Sequence, residues 1–111
     1  MALWTPTSVD ETPVIRIANW RIVEVQCAGL PQKTRHICGY NVTEREARVS
    51  SPIVAYDPVR RTVTTRSGRL YEMSGQPGFL GSNESYTLGR WCALNEVTAV
   101  DDVTDEYDNA K

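Results

Sequence analysis

No run of apolar residues in this sequence approaches the ~18 needed to cross a bilayer, so a membrane-spanning helix is not expected. The opening stretch, Met1 to Glu11, holds no basic segment followed by an apolar one. A secretory leader is therefore not expected there, and the cytoplasm is the expected compartment. Cysteine is scarce and odd in number (Cys27, Cys38 and Cys92), which argues against a disulfide framework. In a reducing compartment all three are expected as thiols. No internal repeat, low-complexity block or cofactor motif is visible, and no cofactor is expected. What is present is an ordinary globular composition, 41% hydrophobic and 23% charged over 111 residues. A chain of that length buries roughly two-thirds of its unfolded surface as one domain.

Charge is nearly balanced, at −2 overall, but unevenly placed. Residues 12–95 carry 11 basic and 6 acidic side chains, whereas residues 96–110 carry 6 acids and no base. A mildly basic body is thus followed by an acidic tail. Such tails are most often solubilising, and one this short is a poor mimic of a nucleic-acid backbone.

Periodicity points to β structure. Residues 1–12 carry Pro6 and no periodic pattern, and read as a loose arm in which Trp4 is the odd feature. Val14 to Cys27 is rich in β-branched residues and too long for one flat strand, which predicts a bend near Asn19. Thr34 to Val42 alternates, placing His36, Cys38, Tyr40 and Val42 on one face and Arg35 and Ile37 on the other. Asp57-Pro58 suits a type I turn, and Ser67-Gly68 suits a two-residue hairpin loop. Together they predict a meander with strands near 49–56, 61–66 and 69–74. That register puts Val54, Val63 and Leu70 on one face and Ile53, Ala55, Tyr71 and Met73 on the other. A helix is expected over about 83–95, capped by Ser82 or Asn83, with Leu88, Trp91, Cys92 and Leu94 as its apolar stripe. Residues 101–111 are expected to be an acidic, frayed tail, although Val103 and Tyr107 have the spacing of one helical turn.

Five groups of residues bear on chemistry. Cys27, His36, Cys38 and Cys92 contain the donor types of a zinc site but no C-x(2–4)-C knuckle, so buried thiols and no metal are expected. His36 and Cys38 lie two apart on one strand face, about 6–7 Å, too far for a direct nucleophile–base contact. No catalytic set is therefore assembled by the sequence, and an enzyme is not the expected class. Arg66 and Arg69 would flank the hairpin loop as cross-strand neighbours. With Arg60 and Arg61 they form a candidate clamp for a carboxylate or phosphate, because paired guanidiniums suit bidentate anions. The Gly/Pro loop Gly75 to Gly81 offers Phe79 as an aromatic anchor. Trp4 is a second candidate contact for a partner.

Arg48 to Pro58, Arg61 to Tyr71, Gly75-Gln-Pro-Gly78, Tyr86, Trp91 and Asp102 to Tyr107 carry a spacing pattern. It resembles small uncharacterised proteins of proteobacterial mobile elements and integron gene cassettes. The resemblance implies an accessory role in a bacterium or phage and transfers no functional residue.

The expected architecture is α+β: a curled antiparallel sheet of four to six strands over residues 13–100, with one C-terminal helix packed on it. A small SH3-like barrel is the alternative. The expected function is a non-enzymatic module that binds a protein partner, with a homodimer through an edge strand as one form. The alternative is a small-molecule or anion binder using Arg66, Arg69 and the Phe79 loop. Nucleic acid is not an expected partner, because the chain lacks both a strong basic excess and exposed stacking aromatics.

Overall fold

The computed structural model describes residues 12–108. The expected arm, with Trp4, lies almost wholly outside the described residues. Strands β1 (Val14–Cys27), β2 (Thr34–Asn41), β3 (Glu46–Val49), β4 (Ile53–Asp57), β5 (Thr62–Thr65) and β6 (Leu70–Met73) precede helix α1 (Ser82–Leu94). Strand β7 (Val97–Asp102) and a 3-10 turn (Thr104–Tyr107) follow it. The fold is α+β, a curled sheet with one long helix. Its strand order is β3-β2-β1-β6-β5-β4, with β7 also pairing to β1. Among the described residues the sheet has seven strands and is mixed, because β1 and β6 run parallel.

The length of β1 lets it organise the whole sheet. It pairs with β2 on one side, and on the other with β6 through residues 14–17 and then with β7 through residues 23–27. It changes partners at a bulge. The register with β2 shifts between Ala18 and Arg21, and Asn19 adopts a φ of 50°, so the expected bend is where the sequence placed it. Asparagine tolerates this left-handed conformation better than the β-branched residues around it. Opposite the bulge, Gly39 has no side chain. A Cβ there would stand 2.7 Å from the Ala18 carbonyl oxygen and 3.0 Å from Trp20 Cα.

Alternation along the bent strand then feeds two cores. Ile15, Ile17, Trp20 and Ile22 face the inside of the curl with Ile37, Val63, Tyr71 and Met73. Val23 and Val25 face the helix, with Cys38, Val49, Leu80, Leu88 and Trp91. The ends of the sheet approach without closing. Ser50 N–H donates to the Ile37 carbonyl at 2.9 Å, and Arg66 N–H donates to the Pro52 carbonyl at 2.8 Å, so residues 50–52 bridge the two ends. The sheet remains open, and the barrel alternative does not form.

The meander exists, but its register differs from the expected one. Val63 pairs with Tyr71 and Thr64 with Leu70, so Val63 shares its face with Tyr71 and Met73 rather than with Leu70. The cause is the hairpin loop. Gly68 N–H donates to the Thr65 carbonyl at 2.8 Å, and Thr65 N–H to the Arg69 carbonyl at 3.0 Å. Gly68 has φ 91°. This is a three-residue loop built on a type I turn with a left-handed glycine. A second irregularity, between Ile53 and Ala55, turns Ile53 and Tyr56 rather than Ala55 toward the inner core. The Asp57 turn forms as expected, its carboxylate accepting from Val59 N–H at 3.0 Å and Arg60 N–H at 3.1 Å.

The helix is capped one residue earlier than expected. Gly81 is the N-cap, and its N–H donates to the Glu84 side chain at 3.0 Å. The last segment is not frayed over residues 101–108. Val103 N–H donates to the Ile22 carbonyl at 2.9 Å, and Ile22 N–H donates to the Thr104 hydroxyl at 3.0 Å. Tyr107 is thereby carried into the inner core, its ring 4.8 Å from that of Tyr56.

The acidic segment also has an internal use. Asp102 pairs with Arg21 at 3.0 Å, and Glu106 with Arg35 at 2.9 Å. Burial pushes the Asp102 carboxyl up, but hydrogen bonds from Thr104 and the Arg21 guanidinium outweigh it and hold the group below its ordinary value. The uneven charge of the sequence is therefore partly neutralised inside the fold. No helix among the described residues is long and apolar enough to cross a membrane.

Candidate functional site

Helix α1 buries none of its residues fully, although it lies on a sheet. Its sequence explains this. Asn83, Thr87, Trp91 and Asn95 recur every four residues and so line one face. In the structure all of them border one concavity between the helix and the sheet. A stripe with three polar members cannot interdigitate with β2 and β3 as an apolar stripe would. Trp91 reaches across from it to the outer core, while Leu88 on the neighbouring stripe packs with Leu80 against the same cluster. The result is a cleft of about 660 Å³. On the sheet side it is bordered by Cys27, Thr34, His36, Ala47 and Val49, and beyond them by Leu30, residues 50–52 and Arg66.

His36 is 3% exposed, and the Trp91 ring meets it edge-on with centroids 4.5 Å apart. Its Nδ1 lies 2.8 Å from the Ser50 carbonyl oxygen and its Nε2 lies 2.7 Å from the Thr34 hydroxyl. A carbonyl only accepts, so Nδ1 carries the proton, and in the neutral ring Nε2 accepts from Thr34. Burial lowers the pKa of His36; the Ser50 hydrogen bond opposes this and the charge of Arg66 adds to it. The imidazole is thus neutral at pH 7 with both nitrogens engaged, and it has no free position for general-base work.

Two of the thiols are equally quiet. Burial pushes Cys38 up to about 12 and also raises Cys92, so neither is a thiolate nucleophile at neutral pH. All three cysteines are free. Among the described residues no cluster of three His, Cys, Asp or Glu side chains could hold a metal ion.

The arginine clamp is taken apart by the hairpin register. Arg69 is 4% exposed, and its Nε donates to the Thr12 carbonyl at 3.0 Å, fastening the chain ahead of β1. Arg66 is exposed and borders the cleft, with no hydrogen bond or ion pair from its guanidinium among the described residues. The two are not cross-strand neighbours. Arg60 sits in solvent 3.9 Å from Asp57. Arg61 lies over the Trp20 ring at 5.8 Å, a cation–π contact, while its Nε and Nη2 are buried without a hydrogen bond. Of the four, only Arg66 borders the cleft.

Phe79 does not border it either. The loop that carries it is clamped to the β1 bulge, with Gly78 N–H donating to the Trp20 carbonyl at 3.3 Å and Arg21 donating to the Gly78 carbonyl at 3.2 Å. Leu80 tucks under the helix, and Phe79 is left 91% exposed. Reading the sequence for charged pairs missed Tyr86, Thr87 and Trp91 as cleft residues. The available signal was the polar stripe at a spacing of four on the helix face that meets the sheet. No protein-family model, curated protein or solved structure matches the chain.

Proposed function

We propose that this chain binds a small organic molecule in the cleft between α1 and the β2–β3 side of the sheet, without catalysing a reaction. The observation that carries the reading is the concavity itself, about 660 Å³, bordered by Trp91, Tyr86, Leu30, Val49 and Pro52. Ligand sites fall in the range of roughly 300–1,000 Å³ and combine an apolar lining with a few polar groups that set orientation. Here the orienting groups are Asn83, Tyr86 and Thr87 on the helix and Arg66 on the hairpin. The engaged His36 imidazole and the upward push on Cys38 and Cys92 support a non-catalytic role. The test is ligand-observed NMR with a library of aromatic and aliphatic fragments against the intact chain and a Thr87→Trp variant that fills the cleft. Hits whose contacts map to residues 47–52 and 83–95 and vanish in the filled variant are expected. Hits that map elsewhere, or that survive the filling, would remove the proposal.

A second reading, a protein-interaction surface, draws on Phe79. A fully solvated aromatic on a loop clamped at both ends is an anchor held out at little entropic cost to binding. The partner in this reading is another protein, or a second copy of the chain joined through an edge strand such as β7, most of whose residues are exposed. Sedimentation velocity of wild type and Phe79→Ser tests the second-copy form. A concentration-dependent dimer lost in the variant supports it, and a monomer throughout excludes it.

A further inference from the structure

We infer that the cleft takes a hydrophobic monocarboxylate, a single carboxylate on an apolar body, with Arg66 as the partner of the charge. The inference rests on the cleft being a ligand site and adds which class of ligand it selects. It follows from accounting for each charged group along the cleft. Arg48 and Glu46 border it, but they alternate with Ala47 and Val49 along β3, so their side chains leave from the other face of the strand. There Arg48 is held by Glu46 at 2.9 Å and Glu44 at 2.7 Å, with its Nη1 3.4 Å from the Tyr71 hydroxyl. His36 is neutral and doubly hydrogen-bonded. Arg66 is left as the one charged side chain on the cleft side without a protein partner among the described residues.

Its position is set by the backbone. The Arg66 N–H bonds to the Pro52 carbonyl, which fixes the hairpin beside residues 50–52 at the border of the cleft. The guanidinium is exposed, so it is hydrated until a ligand arrives and no buried unpaired charge has to be sustained in the empty protein. One uncommitted cation matches one anionic charge. A phosphate monoester would bring a second charge with no cation to meet it, and an apolar wall makes that costly. An amine would find no free carboxylate on the cleft side and would face Arg66. The aromatic and aliphatic border formed by Trp91, Tyr86, Leu30 and Val49 calls for an apolar body behind the carboxylate.

The test uses a phenylalkanoate series, the matching amides and amines, and inorganic phosphate alone, titrated by calorimetry into wild type, Arg66→Gln and Thr87→Trp. The acids are expected to bind roughly twofold to fivefold tighter than their amides, as befits a charge-assisted pair at an exposed site. Arg66→Gln should bring acid and amide level while the amide's own affinity stays put, and phosphate alone should not bind. Equal affinity of acid and amide in wild type, an acid preference that survives Arg66→Gln, or phosphate binding as well as the acids would overturn the monocarboxylate inference and leave the cleft standing. If no compound binds, or if Thr87→Trp changes nothing, the cleft reading itself fails.

Discussion

Replacing Tyr107 by alanine tests whether the last turn belongs to the cooperative structure. Tyr107 is 7% exposed, meets the Tyr56 ring at a 57° tilt with centroids 4.8 Å apart and lies beneath the Arg35 guanidinium at 5.8 Å. Truncating a buried aromatic costs about 3–5 kcal/mol. Tyr107 reaches the inner core at the chain's last turn, where the void is open to partial collapse and hydration, so the lower end, about 3 kcal/mol, is expected. For a chain of this length the unfolding entropy is about 0.2 kcal/mol/K, and the loss lowers Tm by roughly 12–15 °C. Tyr107→Phe separates packing from polarity. It removes only the hydroxyl that accepts from Arg35 at 3.3 Å, while Arg35 keeps Glu24 and Glu106. Its cost should stay within about 0.5–1 kcal/mol. Urea titrations followed by near-UV circular dichroism would measure both variants. An alanine variant within about 1 kcal/mol of wild type, with an unchanged slope, would show that the turn docks outside the folding unit.

Three further outcomes are expected. Gly39→Ala should destabilise the chain by at least about 2 kcal/mol in the same titration, because its Cβ meets the backbone of Ala18 and Trp20 and neither can rotate away. Stability should fall as pH drops from about 6.5 downward, because the unfolded chain takes up the His36 proton first. The sign is that of a folded-state pKa held below its unfolded value: the contribution is complete above the ordinary histidine range and disappears as pH falls through the lowered value. His36 is the sole histidine, so urea midpoints of His36→Leu should be level between about pH 6.5 and 5, above the carboxylate range, and an undiminished slope in the variant there would assign the effect elsewhere. Finally, Cys38 should resist a water-soluble thiol reagent at pH 8 until the chain unfolds, since burial holds it protonated; labelling at the rate of a free thiol would contradict its placement.

Much of the architecture was legible residue by residue. The bend at Asn19, the Asp57 turn, the alternation of His36 and Cys38 against Ile37 and the Leu88–Trp91 stripe all depend on neighbours within a few positions. For these, local φ/ψ preference and hydrophobic period are enough. Hairpin register was not of this kind. One extra loop residue between Thr65 and Arg69 reverses which side chains share a face. The Ser-Gly pair alone does not distinguish a two-residue loop from a three-residue one. With the register went the Arg66–Arg69 clamp, because it was a consequence of the pairing.

By itself, then, the sequence determined a β-rich chain with a late helix, where it bends and where it turns, since each of these follows from local sterics and burial period. Tertiary structure alone decided the rest. It made β1 and β6 parallel partners, drew the acids at 102 and 106 onto Arg21 and Arg35, and brought Tyr107 into the core. It also left the polar helix stripe facing β2 and β3 across a gap. These outcomes join residues more than 30 positions apart, where the cost of closing the chain is recovered only by surfaces that do not exist until the sheet has curled.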